Sequence, residues 1–324
     1  MTDRILQAAV VLLGVPIALV GYIAAIEWLA QRLPDKQQPR VRPWLWVGPA
    51  ALLLFVYLVY PSLHTAYLSL FDAKSTRFVG LDNYVYALTN SNMLLAIRNN
   101  LLWLVFFTLF TVSLGLLMAV LTDRVAYESA AKALIFLPMA ISSVAAGVIW
   151  KFMYDYRPPG QPQTGTLNAV VTSLPGLEPH AWLLEKAINN GALIFVGVWM
   201  MTGFSMVILS AGLKGIPEEI LEAARVDGAN EWQVFWRIML PMLSSTLAVV
   251  ATTIIIAALK AFDIVYVMTN GNFDTDVVAN RMYKELFNVR DFGRASAIAV
   301  LLLLAIIPVM VANIKRFREQ EAMR

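Results

Sequence analysis

The sequence predicts an all-α integral membrane protein with about seven transmembrane helices. Three observations lead there. Of 324 residues, 59% are hydrophobic and only 15% charged, with a mean hydropathy of +0.66, whereas soluble domains carry roughly a quarter charged residues. The apolar residues come in runs of about 20 or more, the length at which a helix rising about 1.5 Å per residue crosses a bilayer. Between two late runs lies a charged amphipathic stretch, Gly215 to Pro241, which belongs in water or against a partner.

Composition excludes other classes. The net charge is +3, and the basic residues sit in short loops, which suits membrane orientation rather than nucleic-acid binding. Cysteine is absent, so there is no disulfide frame and no thiolate metal site. The two histidines, His64 and His180, are far apart, which argues against a His-based metal site or nucleophile. No catalytic and no metal-binding residue is assigned.

In chain order, Ile5 to Ala30 is the first expected span. It is longer than the roughly 7–15 apolar residues of a signal peptide and lacks a small-residue cleavage site, so it reads as an anchor. A basic linker follows to Pro43. Trp44 to Leu70 is the second span, with Trp44 and Trp46 at the interface and Pro49 and Pro61 inside. Asn99 to Leu121, Ala133 to Tyr154, Gly191 to Leu213, Met242 to Phe262 and Ala295 to Ile314 are the third to seventh. The segments Phe71 to Ala96, Asp155 to Asn190 and Asp263 to Arg294 are expected to be exposed. Residues 315–324 form a basic tail with Lys315, Arg316 and Arg318.

Charge sets the orientation. With the tail in the cytoplasm, the linker, the loop from Thr122 and the 215–241 stretch lie there too. Lys260 apart, those segments hold about 13 Lys and Arg in about 60 residues, against about 11 in about 100 opposite, a positive-inside bias.

The 215–241 stretch reads as two short helices joined at a glycine. Pro217 suits a helix start, and Glu218, Glu219 and Glu222 suit the positive end of the dipole. Ala223 and Ala224 let another surface approach closely. Asp227-Gly228 is a turn signal, Asn230 an N-cap, and Trp232, Phe235, Trp236 and Met239 recur at helical spacing. On composition alone this is equally an interfacial connector. The string Glu222-Ala223-Ala224, Asp227-Gly228-Ala229, Ile238-x-Leu240-Pro241 resembles the EAA loop of ABC-importer permeases, and it precedes the penultimate span as it does there.

The resemblance runs from about Trp44 to the end and is to the carbohydrate-importer branch, the maltose-type permeases. It rests on Gly80-Leu81-Asp82-Asn83-Tyr84, Asn99-Asn100, Leu137-Pro138, Thr269-Asn270-Gly271 and Phe292-Gly293-x-Ala295-Ser296-Ala297. Gly165-Thr166-Leu167-Asn168, Ala181-Trp182-Leu183 and the extra first span look most like α-glucoside permeases.

The resemblance implies a permease core formed by the last six spans (residues 44–314), preceded by an extra helix and linker (1–43) and followed by the tail. It implies a multi-pass protein of the prokaryotic plasma (inner) membrane with a cytoplasmic C-terminus. Glu218, Glu222, Ala223, Ala224, Asp227, Gly228, Leu240 and Pro241 would couple the spans to ATPase subunits. The chain has no phosphate-binding G-x-x-x-x-G-K-[ST] loop, so ATP and Mg would be bound and ATP hydrolysed by a partner. The implied partners are a second homologous permease, two cytoplasmic ATPase subunits, an extracytoplasmic solute-binding protein, membrane lipid and a sugar, and no nucleic acid.

For the cargo, Ser143 and Trp199 fall where maltose-type permeases contact sugar, while Met201, Ala258 and Ala261 depart from that pattern. Ser143 reads equally as a helix-packing hydroxyl and Trp199 as an interior aromatic. Lys260 and Asp263, three residues apart, read as a pair on one helix face or as substrate contacts. A polyol, glycerol-3-phosphate or polyamine importer is the alternative within the fold. A phosphate would want cations and a polyamine acids, and the spans offer just this one pair. A membrane enzyme or scaffold is the alternative outside it; the first would need intramembrane His/Asp/Glu clusters, and the second no EAA-type stretch.

Overall fold

The computed structural model describes residues 2–123 and 125–322, with the backbone alone at 2–6, 8–10, 15 and 316–322. The tail side chains Arg316 and Arg318, and Arg124 of the Thr122 loop, lie outside the described residues. Among the described residues the chain is helical apart from turns and a single bridge, Phe71 to Phe78. Six helices are long and apolar enough to cross a membrane, or seven if a bent pair counts as one span. The chain divides into two compact units, Met1–Thr65 and Ala66–Arg324.

In the N-terminal unit the helix Thr2–Gln31 contains the apolar window Val11–Gln31. The next helix, Gln38–Leu68, begins within the expected linker, because a proline in its first turn has no N–H to satisfy. A π-turn, Phe55–Val59, precedes Pro61. The proline leaves the Tyr57 carbonyl without its helical partner, and the wider turn absorbs the mismatch. The same device recurs at Phe235–Met239, before Pro241.

The rest is organised around the fifth span, Asn189–Lys214, whose apolar window is 61% buried against 22–33% for the third, sixth and seventh. Leu193, Val196, Met206 and Leu209 are fully enclosed. Lipid tails are as apolar as leucine, so close packing and small residues join these helices. A Cβ at Gly115 of the third span, Ser91–Thr122, would lie 2.3 Å from Ser205 Oγ, and one at Gly203 would lie 2.5 Å from the Ile135 carbonyl oxygen.

Three expectations are corrected. The fourth span is not one helix. Glu128–Ala140 and Ser143–Met153 meet at 97°. Pro138 tightens Leu137–Ala140 into a 3₁₀ turn, Ile141 is extended, and Ser142 Oγ accepts the Ala145 N–H at 3.2 Å to start the next helix. The sixth span is interrupted at 260–262, between Ser244–Leu259 and Asp263–Met268. Lys260 and Asp263 therefore do not share a continuous helix face, and they form no ion pair with each other.

The third correction concerns 263–294, expected as an exposed loop. Val277, Val278, Asn280 and Glu285 are buried there. Asp276 is buried and accepts from Asn280 and Lys284 at 2.6 and 2.9 Å. Glu285 accepts from Tyr86 and Arg281, both at 2.8 Å. Phe273 and Asp274 have left-handed backbone, with φ of 57° and 64°. Asparagine amides from the third and fifth spans hold that loop: Asn189 donates to the Phe273 carbonyl and Asn99 to that of Asp274, each at 2.7 Å. Likewise Asn168 Oδ1, buried in the short helix Thr166–Thr172, accepts from the His180 amide and the Trp182 indole at 3.0 Å.

Candidate functional site

The 215–241 stretch forms two helical segments, as its pattern predicts. Glu218–Val226 starts behind Pro217, carries Glu218 and Glu219 in its first turn and Arg225 in its last, and so complements its dipole at both ends. Its end is closed by two backbone bonds: Gly228 N–H to the Arg225 carbonyl and Ala229 N–H to that of Ala224, each at 3.0 Å. That motif needs a left-handed residue, and Gly228 has φ +85°. Asn230 then caps the next helix in a reciprocal box with Gln233, both bonds at 2.9 Å. Across the turn, Arg225 Nε meets Glu231 at 2.8 Å, and that carboxylate holds the guanidinium above its ordinary pKa.

This local order serves an open surface. No residue of Glu218–Val226 is buried. Glu218, Glu222, Ala223, Asp227 and Gly228 are exposed, Ala224 is half-buried, and Val226 is 86% exposed. Beyond the turn Trp232 and Trp236 are exposed as well, while Val234 is enclosed. Leu240 is half-buried and Pro241 exposed at the start of the sixth span. Behind the loop a cavity of about 1130 Å³ is lined by Leu121, Leu221, Arg225, Trp232 and Phe235.

Sequence reasoning missed the anchor of this loop. Glu128, at the start of the bent pair, takes both Lys132 and, at 2.6 Å, Lys214 at the end of the fifth span; Lys132 also reaches Ser210. The broken fourth span and the root of the 215–241 loop are thereby joined by charge. The i,i+4 spacing of Glu128 and Lys132 was legible; the Lys214 contact needs the fold.

A second cavity, of about 360 Å³, lies among the third to sixth spans. Ser143, Lys260 and Asp263 all line it, with Trp103, Thr253 and Phe262. The bend of the fourth span delivers Ser143, and the interruption of the sixth delivers Lys260 and Asp263 from opposite sides of the break. Met201 and Ala261 are also in the wall, while Ala258 is buried. Trp199 is not in this wall: its ring packs edge-on against Trp150 at 5.5 Å. Trp103, Thr253 and Phe262 went unremarked in the sequence. The spacing of Trp103 from Asn99 and Phe107, four residues each way on one helix face, is the signal for Trp103.

The chemistry is that of a small polar chamber in apolar walls, with one ammonium, one carboxylate, two hydroxyls and three aromatic rings, Trp103, Phe107 and Phe262. Such chambers suit ligands with both apolar faces and hydrogen-bonding rims. Among the described residues no cluster of three or more His, Cys, Asp or Glu is arranged to hold a metal ion.

Comparison with known proteins follows this geometry. Residues 111–316 match the model of the family described as binding-protein-dependent transport system inner membrane component. The chain is 60% identical over 280 residues to the osmoprotective compounds uptake permease protein GgtC of Synechocystis, covering 86% of this chain and all of that one. It is 49% identical over 276 residues to the alpha-glucoside transport system permease protein AglF of Rhizobium meliloti, covering 85% and 82%. In fold it is similar to a chain of a bacterial ABC transporter that imports the acidic polysaccharide alginate, with a TM-score of 0.74 at 23% identity over 88% of this chain and 99% of that one. The match to more than half of the chain, together with these identities, shows that the chain belongs to the inner membrane components of binding-protein-dependent transport systems.

Proposed function

We propose that this chain is one of two permease halves of an ATP-driven importer of neutral oligosaccharides, with α-glucosides as the leading class. The observation that carries the reading is the helix Glu218–Val226: a well-capped amphipathic helix, set between two spans, with no residue buried. A helix closed at its end by Gly228 and exposed except for the half-buried Leu221 and Ala224 has the form of an element that inserts into another protein. Glu222, Ala223 and Ala224 supply the insertion face, Gly228 fixes its end, and Leu240 and Pro241 pass its displacement to the sixth span. Two cytoplasmic ATPase subunits, which bind ATP and Mg, take up this helix and its counterpart on a second permease. An extracytoplasmic binding protein delivers the sugar, and the C-terminus faces the cytoplasm.

Ser143, Lys260 and Asp263 are the proposed substrate contacts. One positive and one negative charge in the same wall favour a neutral ligand over a phosphate or a polyamine. The test of coupling is to replace Glu222 or Gly228 in the assembled complex; if substrate-stimulated ATP hydrolysis and uptake both persist unchanged, the docking assignment is wrong. The test of cargo is a binding screen of the cognate binding protein against mono- and disaccharides, and exclusive binding of polyols or amines would remove the sugar.

A further inference from the structure

Four aromatic rings lie in contact between the Lys260/Asp263 chamber and the protein surface. Phe262 lines the chamber. Its ring is 5.2 Å from Tyr266, stacked at 22°, and 5.5 Å from Tyr283. Tyr266 and Tyr283 are 5.1 Å apart, and Tyr283 is 4.7 Å from Phe287. The far end is open: Phe287 is 59% exposed. The two tyrosine hydroxyls come within 3.5 Å of each other, so both present a polar rim at one place.

Neither of the ordinary explanations of aromatic rings accounts for this row. Core packing encloses its rings, yet Phe287 and Tyr266 are exposed and Tyr283 is half-buried. An interfacial belt sets rings separately around a membrane protein at headgroup level. Here the rings are contiguous, and the innermost forms part of a chamber wall. Aromatic faces bear the apolar faces of sugar rings, and phenol hydroxyls meet their hydroxyl rims, which is the amphipathic character that tyrosine brings to binding surfaces.

We propose that Phe262, Tyr266, Tyr283 and Phe287 form a sugar track that carries a pyranose from the surface opposite the 215–241 loop into the chamber. The assignment rests on the reading of the chain as a sugar permease. The rings act by successive stacking, so no single site holds the sugar tightly. The row is a specificity element for hexose rings over acyclic polyols, which lack a flat face.

The test uses the complete transporter in proteoliposomes with its binding protein and, as probes, labelled maltose, trehalose and sucrose. Uptake is counted per assembled complex. Tyr266→Leu, Tyr283→Leu and Phe287→Leu keep bulk and remove the face; Tyr266→Phe, Tyr283→Phe and Phe287→Tyr keep it. The expected result is a three- to tenfold fall in maximal uptake for each leucine variant, with the binding-protein concentration at half-maximum unchanged and most of the rate retained in the ring-preserving set. Phe287, at the exposed end, supplies the comparison if the inner variants assemble poorly. Uptake of a sugar by the wild type with every assembled leucine variant within twofold of it would overturn the track and leave the sugar reading standing. A shift in half-maximal binding-protein concentration at constant maximal rate would make the rings a docking surface and equally overturn it. If the wild type takes up none of the three sugars, the sugar reading fails and the track with it.

Discussion

Asn100 closes the broken end of the sixth span at Leu259. Its Nδ2 lies 3.3 Å from the Leu259 carbonyl oxygen and the same distance from that of Ala258, while its Oδ1 accepts the Val278 N–H at 2.7 Å. A helix that stops inside a membrane leaves carbonyls that water cannot reach. One buried carboxamide answers two of them and also fixes the segment that follows. Asn100→Ala should lower stability by about 2–4 kcal/mol, since several buried groups lose their partner at once. Thermal unfolding of the purified complex measures it, and an unchanged midpoint would mean that the break is held by something else.

The bend of the fourth span depends on a smaller contact. Ser142 Oγ satisfies the Ala145 N–H at the first turn of Ser143–Met153. Ser142→Ala should cost about 1 kcal/mol, and Ser142→Asp or Ser142→Asn should recover most of it, as those residues cap well. Denaturation of the variants side by side gives the order, and loss in all three alike would show that the hydroxyl is not acting as a cap.

Gly228 is required for its backbone rather than its size, because a Cβ there would meet nothing within 4 Å. At φ +85° an L-residue is strained by roughly 1–2 kcal/mol, asparagine least and β-branched residues most. Uptake per ATP hydrolysed should therefore fall in the order Gly, Asn, Ala, Val. Equal coupling in Gly228→Asn and Gly228→Val would remove the conformational argument.

Lys260 contributes the one ammonium in the chamber wall. Replacing it by methionine keeps the stem and deletes the charge. A hydrogen bond from a charged donor is worth about 1.5–3 kcal/mol, so uptake at saturating binding protein should fall roughly tenfold or more. Lys260→Arg should retain part of the rate. If Lys260→Met transports at the wild-type rate, the chamber does not use this residue.

The spans and the 215–241 loop were legible in the sequence, for physical reasons that are local. Apolar length, the Asp227-Gly228 turn and the Asn230 cap depend on neighbours in the chain, and each appears where its residues require. The interruption at Ile141 was not legible, because it lies within an apolar run and hydropathy averages over it; at Phe262 the flanking Lys260 and Asp263 read as the end of the span, and the return to helix at Asp263–Met268 was not legible. The buried character of 273–289 was hidden for the opposite reason. Asp276, Arg281, Lys284 and Glu285 look solvated in sequence and are bonded to one another, to Tyr86 and to Asn280 in the fold. Lys260 and Asp263, read in the sequence as sharing one helix face, stand on either side of a helix break and line the same chamber wall. Trp199, chosen by resemblance, lies against Trp150 outside that chamber.

The left-handed loop at Phe273 and Asp274 is fastened by carboxamides of Asn99, Asn189 and Asn190 gripping its backbone oxygens. A neutral amide neither titrates nor attracts counterions, so this latch keeps its grip in brine and in fresh water, in acid and in alkali. The exposed Lys186–Asp274 ion pair at the same loop, by contrast, slackens as salt rises. The backbone of the strained loop is thus held by contacts indifferent to salt and pH, and the charged side-chain pair beside them is the part that salt loosens.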